Sequence, residues 1–281
     1  MVVAAESRAQ AGLANAWSGQ PLRIGIVNIM PRAETYEAFL VRPIERALLP
    51  VEPVWIRLAS HQYQSSDVAR YVTFEDALRS GPLDGLILTG APVEEIAFRD
   101  VRYWPELHEI LDFCRARTAG VLGICWGGLA LGKCLGIEKH VFEKKLFGVF
   151  QNAILDAEHP IVGGSDDVFW CAHSRHSGIA SSELDAARDA GVVRLLSYGA
   201  ETGYSIFEST DGKFLAHLGH PEYEAARLSH EWARDCAIGR RDVDAPRNFD
   251  LDRPVNVWRS HCNDLFARWL RNVALERSQA R

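Results

Sequence analysis

The chain has 281 residues, 47% of them hydrophobic, which is enough for one large domain or two small ones with a full core. Its formal net charge of −6 gives no basic field for nucleic acid, and we therefore expect no nucleic-acid partner. No apolar run approaches the roughly 18–20 residues of a membrane span, and the Ala-rich start lacks the features of a signal peptide, so we expect a cytoplasmic protein with no membrane partner.

Short β-branched runs alternate with helical stretches through the first half of the chain. The predicted strands are 23–28, 51–58, 85–89 and 120–124, and the predicted helices are 35–49, 73–80, 105–116 and 126–135. Pro53 indicates that the second strand lies at a sheet edge or that the proline stands near its start. This alternation predicts an α/β fold with a mainly parallel, doubly wound sheet and flanking helices.

The pattern changes from about residue 146 onward. Short strands at 168–172, 193–198, 204–209 and 214–218 predict an antiparallel extension of the sheet in the second half. A long helix at 222–238 and a final helix at 257–275 follow. We predict an N-terminal arm over residues 1–20, a single domain over 21–275 and a C-terminal tail over 276–281.

A glycine-rich turn carries the strongest chemical signal. Cys125 stands in GICWGG (123–128), directly after the predicted strand 120–124. This is a thiol version of the G-x-S-x-G nucleophile elbow, a strand-to-helix turn that presents its central side chain at the top of a sheet. The helix N-terminus favours a thiolate there. We therefore predict an enzyme that works through a covalent thioester.

The second signal is His220-Pro221-Glu222, which follows the strand at 214–218. A thiol nucleophile needs a base within hydrogen-bond reach, and the base needs a third group that fixes its tautomer. Cys125, His220 and Glu222 supply these three parts. A simpler interpretation makes Cys125 a packed core thiol and His220 a strand-end residue, but the elbow and the spacing together favour catalysis.

The same residues carry a family resemblance. A Gly-x-Cys-x-Gly elbow followed about 95 residues later by His-Pro-Glu resembles the class I glutamine amidotransferase-like, flavodoxin-like fold. Further segments resemble one branch of it, the homoserine O-succinyltransferase/O-acetyltransferase family of methionine biosynthesis. They are VNIMP (27–31), LTGAP (88–92), VRYWP (101–105), ICW (124–126), KLFGV (145–149), DDVF (166–169), AHSR (172–175), GHPEY (219–223) and WRSH (258–261).

The resemblance implies a ping-pong acyl transfer. Cys125 would attack an acyl-CoA thioester, and the side-chain hydroxyl of an amino acid would then take the acyl group, with His220 as the base and Glu222 orienting the imidazole. The backbone N–H of Trp126 has the usual position of an oxyanion donor. By the family pattern, Ala91 supplies the second donor.

The resemblance also implies residues that bind substrate. Arg234 matches the family's arginine for the acceptor carboxylate, and Ser174 and Arg175 match a segment that the family uses around the acceptor. Lys145 matches a lysine that lines the family's site. For Arg234 the alternative is a solvated arginine on a helix face. For Ser174 and Arg175 it is a structural turn, and for Lys145 it is a charged loop.

Donor choice depends on one position in this family. The residue two after Gly-Ala-Pro is glycine where succinyl is used and glutamate where acetyl is preferred, and here it is Glu94. A carboxylate there would occupy the space of a succinyl tail and repel its charge. We therefore expect acetyl-CoA as co-substrate. Glu95 leaves the register uncertain by one residue, and an exposed loop acid is the alternative.

One departure from the family pattern leaves the acceptor open. Family members place lysines after Met-Pro, whereas here Met30-Pro31 is followed by Arg32-Ala33. An arginine keeps the charge but cannot accept a proton. L-serine O-acetylation on the same scaffold therefore stays an alternative to L-homoserine, as does homoserine O-succinylation. A glutamine amidotransferase-type hydrolase and a non-catalytic binding protein are more distant alternatives.

Neither a metal nor a bound cofactor is predicted. The six cysteines form no CxxC pair, no His/Cys/carboxylate cluster has ligand spacing, and the thiolate itself would be the nucleophile. The predicted partners are therefore small molecules, acetyl-CoA and a hydroxy amino acid. The resemblance also implies a homodimer.

Overall fold

The computed structural model describes residues 20–63 and 66–279, so nearly all of the predicted N-terminal arm lies outside the described residues. The strands are β1 (Leu22–Val27), β2 (Val51–Ile56), β3 (Gly85–Leu88), β4 (Gly120–Ile124), β5 (His140–Ile154), β6 (Val168–Gly178), β7 (Val193–Gly199), β8 (Gly203–Ser209) and β9 (Phe214–His217). The helices are α1 (Ala33–Arg46), α2 (Phe74–Arg79), α3 (Trp104–Arg117), α4 (Trp126–Cys134), α5 (Ser181–Asp189), α6 (Ala225–Ala237) and α7 (Arg259–Gln279), with 3₁₀ turns at Ser66–Arg70 and Phe98–Asp100. Within this part of the chain, no helix combines the length and apolar character needed to cross a membrane.

The strands form a nine-stranded sheet in the order β2-β1-β3-β4-β9-β8-β7-β5-β6. The pairs β2–β1, β1–β3, β3–β4 and β4–β9 are parallel, and every pair from β9 to β6 is antiparallel. This confirms the predicted parallel sheet with an antiparallel extension. The edge position of β2 agrees with Pro53, because a proline cannot donate to a neighbouring strand.

Helices cover both faces of the sheet. One apolar cluster joins β1 to α1, α6 and α7 through residues such as Leu40, Leu228 and Phe266. The other cluster joins the opposite face to α2, α3, α4 and α5, with Leu107 and Leu129 at its centre. Since parallel strands are buried on both faces, their sequences are continuously apolar rather than alternating. The loops at the carboxyl ends of β3, β4 and β9 remain free to form a site.

One strand and one helix were not predicted, and several predicted elements have different bounds. The 15-residue strand β5 was missed because Glu143, Lys144 and Lys145 interrupt its apolar pattern, next to a register shift between Val141 and Leu146. Helix α5 buries only Leu184, so its sequence lacks the set of apolar residues that would mark a buried helix. Strand β6 runs on to Gly178 rather than ending at 172. Helix α6 begins at Ala225 rather than at 222, because the residues after His220 form a turn.

Candidate active site

Cys125 stands at the turn between β4 and α4, where its backbone has φ 52° and ψ −113°. A positive φ is uncommon for a residue with a side chain, and strained residues of this kind cluster at functional sites. The turn is tight, because a Cβ on Gly127 would lie 2.4 Å from the carbonyl oxygen of Leu88. The backbone therefore has the predicted form of a nucleophile elbow.

His220 and Glu222 lie just beyond the end of the adjacent strand β9. The backbone N–H of His220 donates to the carbonyl of Ala172 at 2.7 Å, which ties the turn to β6. The imidazole Nδ1 lies 2.7 Å from Glu222 Oε1. Because the carboxylate binds Nδ1, Nε2 is left for the nucleophile. The structure thus gives Glu222 the geometry of the group that orients the base.

The imidazole also reaches the thiol. A Cβ built on Gly90 would lie 3.4 Å from His220 Cε1 and 3.6 Å from Cys125 Cβ, so both side chains converge on this glycine. Burial by itself lowers the pKa of His220, but the negative charges of Cys125 and Glu222, together with hydrogen bonds to both, raise it well above its ordinary value. The site therefore favours the imidazolium form of His220, held between Cys125 and Glu222.

The catalytic groups open into a cleft of about 760 Å³ between α1 and α6. Cys125 is only 5% exposed, yet it lines this cleft together with His220 and Ala91. The backbone N–H of Trp126 is the first of α4 and directly follows the nucleophile. The indole of Trp126 is buried away from the cleft among aromatic rings, including Phe98 at 5.6 Å. Only the backbone of Trp126 is thus available to the chemistry.

Lys145 and Ser174 belong to a buried polar network in the cleft wall. The Lys145 ammonium lies 2.7 Å from Asp235 Oδ2 and 3.6 Å from Glu231 Oε2. Ser174 donates its hydroxyl hydrogen bond to Glu231, and Tyr223 does so at 3.0 Å. Burial works against the charge of Glu231, but Lys145 and the other cations hold its pKa down at about 2. Each of these polar side chains thus has a hydrogen-bond or ion-pair partner within the network.

Arg234 projects from the same network into the cleft. Its guanidinium is about half exposed and lies 2.7 Å from Asp235 Oδ1, the carboxylate whose other oxygen binds Lys145. Asp235 is itself only 3% exposed. A buried carboxylate fixed by a buried lysine therefore orients the exposed arginine, which leaves guanidinium N–H groups free for an anionic ligand.

Glu94 lines the cleft from the loop after β3. Its Oε2 is buried and has no hydrogen-bond partner among the described residues. Burial raises the pKa of this carboxyl to about 7, although the backbone N–H of His176 and nearby cations favour the charged form. Its neighbour Glu95 points instead to Arg240, at 3.0 Å. Glu94 and Glu95, the two acids that could occupy the position for donor choice, thus have different environments.

Arg175 differs from the other predicted substrate-binding residues. Its guanidinium donates to the carbonyls of Ser177 at 3.2 Å and Thr202 at 2.8 Å. It is 2% exposed and is not among the residues that line the cleft. The geometry therefore makes it a brace for the end of β6, and the predicted contact with acceptor has no support in this conformation.

The sequence did not predict two aromatic residues of the site, Tyr36 and Tyr223. Tyr36 of α1 donates its hydroxyl hydrogen bond to Glu222 Oε1. The ring of Tyr223 stacks on His220, with centroids 3.9 Å apart. Tyr223 could have been found, because it directly follows the His-Pro-Glu segment. Tyr36 gave no signal, because its contact spans 186 positions of sequence.

The anchors of the network were also missed. Glu231 and Asp235 are four residues apart on one helix and therefore share a face. Both are buried, which is rare for acids unless they are paired. The signal that could have indicated them is the spacing of Glu231, Arg234 and Asp235 within about one helical turn.

Ligand-type side chains of Glu95, His176 and Asp242 come together near the cleft. The sequence spacing did not predict this cluster. Arg240 already lies within it, 3.0 Å from Glu95 and 3.3 Å from His176, and it also pairs with Asp242. A guanidinium thus supplies the positive charge there, and the cluster works as an ion-pair clamp at the cleft entrance.

The sheet order and the helices on both faces give the chain a class I glutamine amidotransferase-like fold. Solved structures agree on the fold. A glutamine amidotransferase from Methylobacillus flagellatus superposes with a TM-score of 0.54 at 16% identity, covering 90% of this chain and 94% of that one. One from Thermotoga maritima gives 0.59 at 11% identity, covering 92% and 98%.

Sequence comparison identifies the branch within this class. The family model described as homoserine O-succinyltransferase matches residues 3–279. Relatives named homoserine O-acetyltransferase include one from Petrotoga mobilis, 36% identical over 89% of this chain and 83% of its own length. Another from Bacteroides fragilis is 36% identical over 89% and 84%. The chain belongs to the homoserine O-succinyltransferase family.

Proposed function

We propose that this protein transfers the acetyl group of acetyl-CoA to the side-chain hydroxyl of L-homoserine. The observation that carries the proposal is the convergence of Cys125, His220 and Glu222 in a cleft with an oriented arginine. The names of relatives at about 36% identity support the acyl donor and the acceptor.

The first half-reaction acylates the thiol. The Cys125 thiolate attacks the thioester carbonyl, and the tetrahedral oxyanion receives hydrogen bonds from the backbone N–H groups of Trp126 and Ala91. The C–S bond to CoA then breaks, the imidazolium of His220 gives its proton to the departing CoA thiolate, and an acetyl-cysteine remains. The raised pKa of His220 suits this step, because the base begins protonated and acts first as an acid.

The second half-reaction transfers the acetyl group. His220, now neutral, takes the proton of the acceptor hydroxyl while its oxygen attacks the acetyl-cysteine carbonyl. The C–S bond breaks, the Cys125 thiolate returns, and the O-acetyl amino acid leaves. Glu222 holds the imidazole tautomer through both halves. Atoms and charge balance with acetyl-CoA as co-substrate, and this chemistry calls for no resident metal or cofactor.

We assign acceptor recognition to the wall that carries Arg234. Its guanidinium suits the acceptor carboxylate, since a planar fork of N–H donors matches two carboxylate oxygens. Asp235 and Lys145 hold this arginine from behind. Ser174 stays a proposed neighbour of the acceptor, because it lines the cleft beside Lys145.

Glu94 is the proposed determinant of the donor. It lies in the cleft wall with an unpartnered oxygen, so a succinyl tail would meet both its bulk and its charge. An acetyl group carries no terminal carboxylate for this wall to repel. Homoserine O-succinyltransferase activity would require this carboxylate to be replaced or neutralised.

Steady-state CoA release with acetyl-CoA or succinyl-CoA against L-homoserine and L-serine tests the proposal in a two-by-two grid. We expect the acetyl–homoserine pair to have the highest kcat/KM. Serine is one methylene shorter, a difference that a pocket resolves by only about 1–3 kcal/mol. A higher kcat/KM with L-serine than with L-homoserine would reassign the acceptor. A higher kcat/KM with succinyl-CoA than with acetyl-CoA would refute the role of Glu94. Glutamine hydrolysis without CoA release would favour an amidotransferase instead.

Intact-mass analysis gives an independent test of the covalent step. Incubation with acetyl-CoA alone should leave one acetyl group on Cys125. The matched control is Cys236→Ser, because Cys236 is an exposed thiol outside the cleft. Loss of the adduct in the Cys236 variant, with retention in Cys125→Ala, would refute the mechanism.

We further propose a single catalytic domain over residues 21–275 that acts as a cytoplasmic homodimer. The one continuous sheet supports the single domain, and the dimer rests on the family resemblance alone. Sedimentation equilibrium tests the dimer directly, and a monomer at micromolar concentration would contradict it.

A further inference from the structure

We propose that Tyr36 is a positioning residue for the catalytic carboxylate, and that its hydroxyl keeps Glu222 oriented during turnover. This inference rests on the proposed function, because it assigns a role within the same Cys–His–Glu site. It adds Tyr36, on helix α1, as a fourth side chain. Cys125 and the His220–Glu222 pair lie on other segments.

The two donors to Glu222 converge on one oxygen. His220 Nδ1 lies 2.7 Å from Oε1, and the hydroxyl of Tyr36 donates to that same atom. The other oxygen, Oε2, is buried with no hydrogen-bond partner among the described residues. Since Glu222 is only 4% exposed, solvent cannot readily replace a lost donor. Half of the hydrogen-bond support of this carboxylate therefore comes from Tyr36.

The ring of Tyr36 is fixed by its neighbours. It is 2% exposed and meets the ring of Phe39 edge-on at 5.8 Å and that of Tyr223 at 6.4 Å. Tyr223 in turn stacks on His220. This packing holds the hydroxyl in place, so that Tyr36 restrains the carboxylate while Tyr223 restrains the imidazole. The two aromatic residues thus brace the two members of the acid–base pair.

The other groups around Glu222 cannot take over this role. Burial raises the pKa of Tyr36 itself well above its usual value, so its hydroxyl stays a donor. Cys171 of β6 and Cys262 of α7 also face the carboxylate, and burial raises the pKa of both thiols, so they stay neutral. Tyr36 and His220 are therefore the two groups whose hydrogen bonds orient Glu222.

Removing the hydroxyl should leave the carboxylate of Glu222 free to move away from the imidazole, because Oε1 then has a single donor. The charge of Glu222 is one of the influences that raise the pKa of His220, so a displaced carboxylate supports the imidazolium less and thiol reactivity should begin at a higher pH. A hydrogen bond to a charged buried group is strong enough to move such a profile by about one pH unit. The acid limb of thiol reactivity is therefore the direct readout.

The test compares Tyr36→Phe with Tyr71→Phe. Tyr71 also donates to a carboxylate on α1, Glu37, at 2.6 Å, but lies outside the cleft. It therefore controls for loosening of the helix. The rate of Cys125 alkylation by iodoacetamide is measured against pH without substrate, in a Cys236→Ser background. We expect the acid limb to move up by about one pH unit in Tyr36→Phe and to stay in place in Tyr71→Phe.

Turnover provides the second readout. Tyr36→Phe should lower kcat about tenfold near pH 7, with acceptor KM changed less than about twofold, because the hydroxyl that is removed binds Glu222 rather than a substrate group. In a Glu222→Gln background the same substitution should have no further effect. An unmoved acid limb, an equal loss at every pH, or additive losses in the double variant would each overturn the proposal. Alkylation needs no acyl donor. The alkylation result therefore tests the role of Tyr36 even if the substrate assignment is wrong.

Discussion

Replacing Glu94 with glycine tests how the cleft chooses its acyl donor. The carboxyl lines the cleft together with Cys125, and its Oε2 has no partner among the described residues. A succinyl thioester would bring a second carboxylate toward this wall. We therefore expect Glu94→Gly to accept succinyl-CoA, while the native enzyme strongly prefers acetyl-CoA.

The size of the effect follows from the charges. Two like charges about 5 Å apart repel by roughly 3 kcal/mol at an effective dielectric constant near 20, which corresponds to about a hundredfold in kcat/KM. This repulsion exists only while Glu94 is ionised. Because burial raises its pKa to about 7, the ionised fraction is about one-tenth near pH 6 and about nine-tenths near pH 8. The acetyl-to-succinyl preference should therefore grow roughly tenfold over that interval.

The assay measures kcat/KM for both donors by chromatographic CoA release at saturating homoserine, from about pH 6 to about pH 8.5. Glu94→Gln separates charge from bulk, and it should give a preference that no longer depends on pH. Glu95→Gln is the matched control, because that carboxylate pairs with Arg240 instead. A native preference that is flat across this range, or a Glu94→Gly enzyme that still rejects succinyl-CoA, would refute the reasoning.

Three further substitutions probe the rest of the site. Cys125→Ala should abolish both turnover and the acetyl adduct seen by intact mass, and an adduct that persists would identify another nucleophile. Glu222→Gln should lower kcat by about 10²–10⁴ without changing the fold, because the imidazole loses its orienting partner; circular dichroism checks the fold, and a near-native kcat would contradict the role. Arg234→Ala should raise acceptor KM by roughly ten- to a hundredfold, as expected for loss of a charged hydrogen bond. An unaltered acceptor KM would remove Arg234 from the site.

The sequence predicted the catalytic groups because their chemistry imposes local patterns. The elbow around Cys125 needs glycines, since a Cβ on Gly127 would clash with the backbone of β3. The His220–Glu222 pair needs only two residues of separation. The parallel strands were equally readable, because burial on both faces leaves continuous apolar runs. Local constraints of this kind leave patterns that can be recognised in a single sequence.

The remaining site residues depend on tertiary packing. Tyr36 meets Glu222 only after α1 packs over the end of β9, and nothing near position 36 indicates this contact. Lys145 was found through the family pattern, but its partner Asp235 lies 90 positions away and α6 brings the two together. Arg175 is the opposite case. Its segment was recognised, but its guanidinium turns toward backbone carbonyls of its own sheet.

Two carboxyl groups of the cleft, Glu231 and Glu94, have opposite surroundings, and this contrast supports the different roles proposed for them. Glu231 accepts hydrogen bonds from Ser174, Tyr223 and Arg227, and cations hold its pKa down at about 2. Glu94 has one oxygen without a partner, and burial raises its pKa to about 7. A group that is already fully partnered gains little from a ligand and works as framework. A group that lacks a partner changes its energy when a ligand arrives, which is what discrimination between two acyl donors requires.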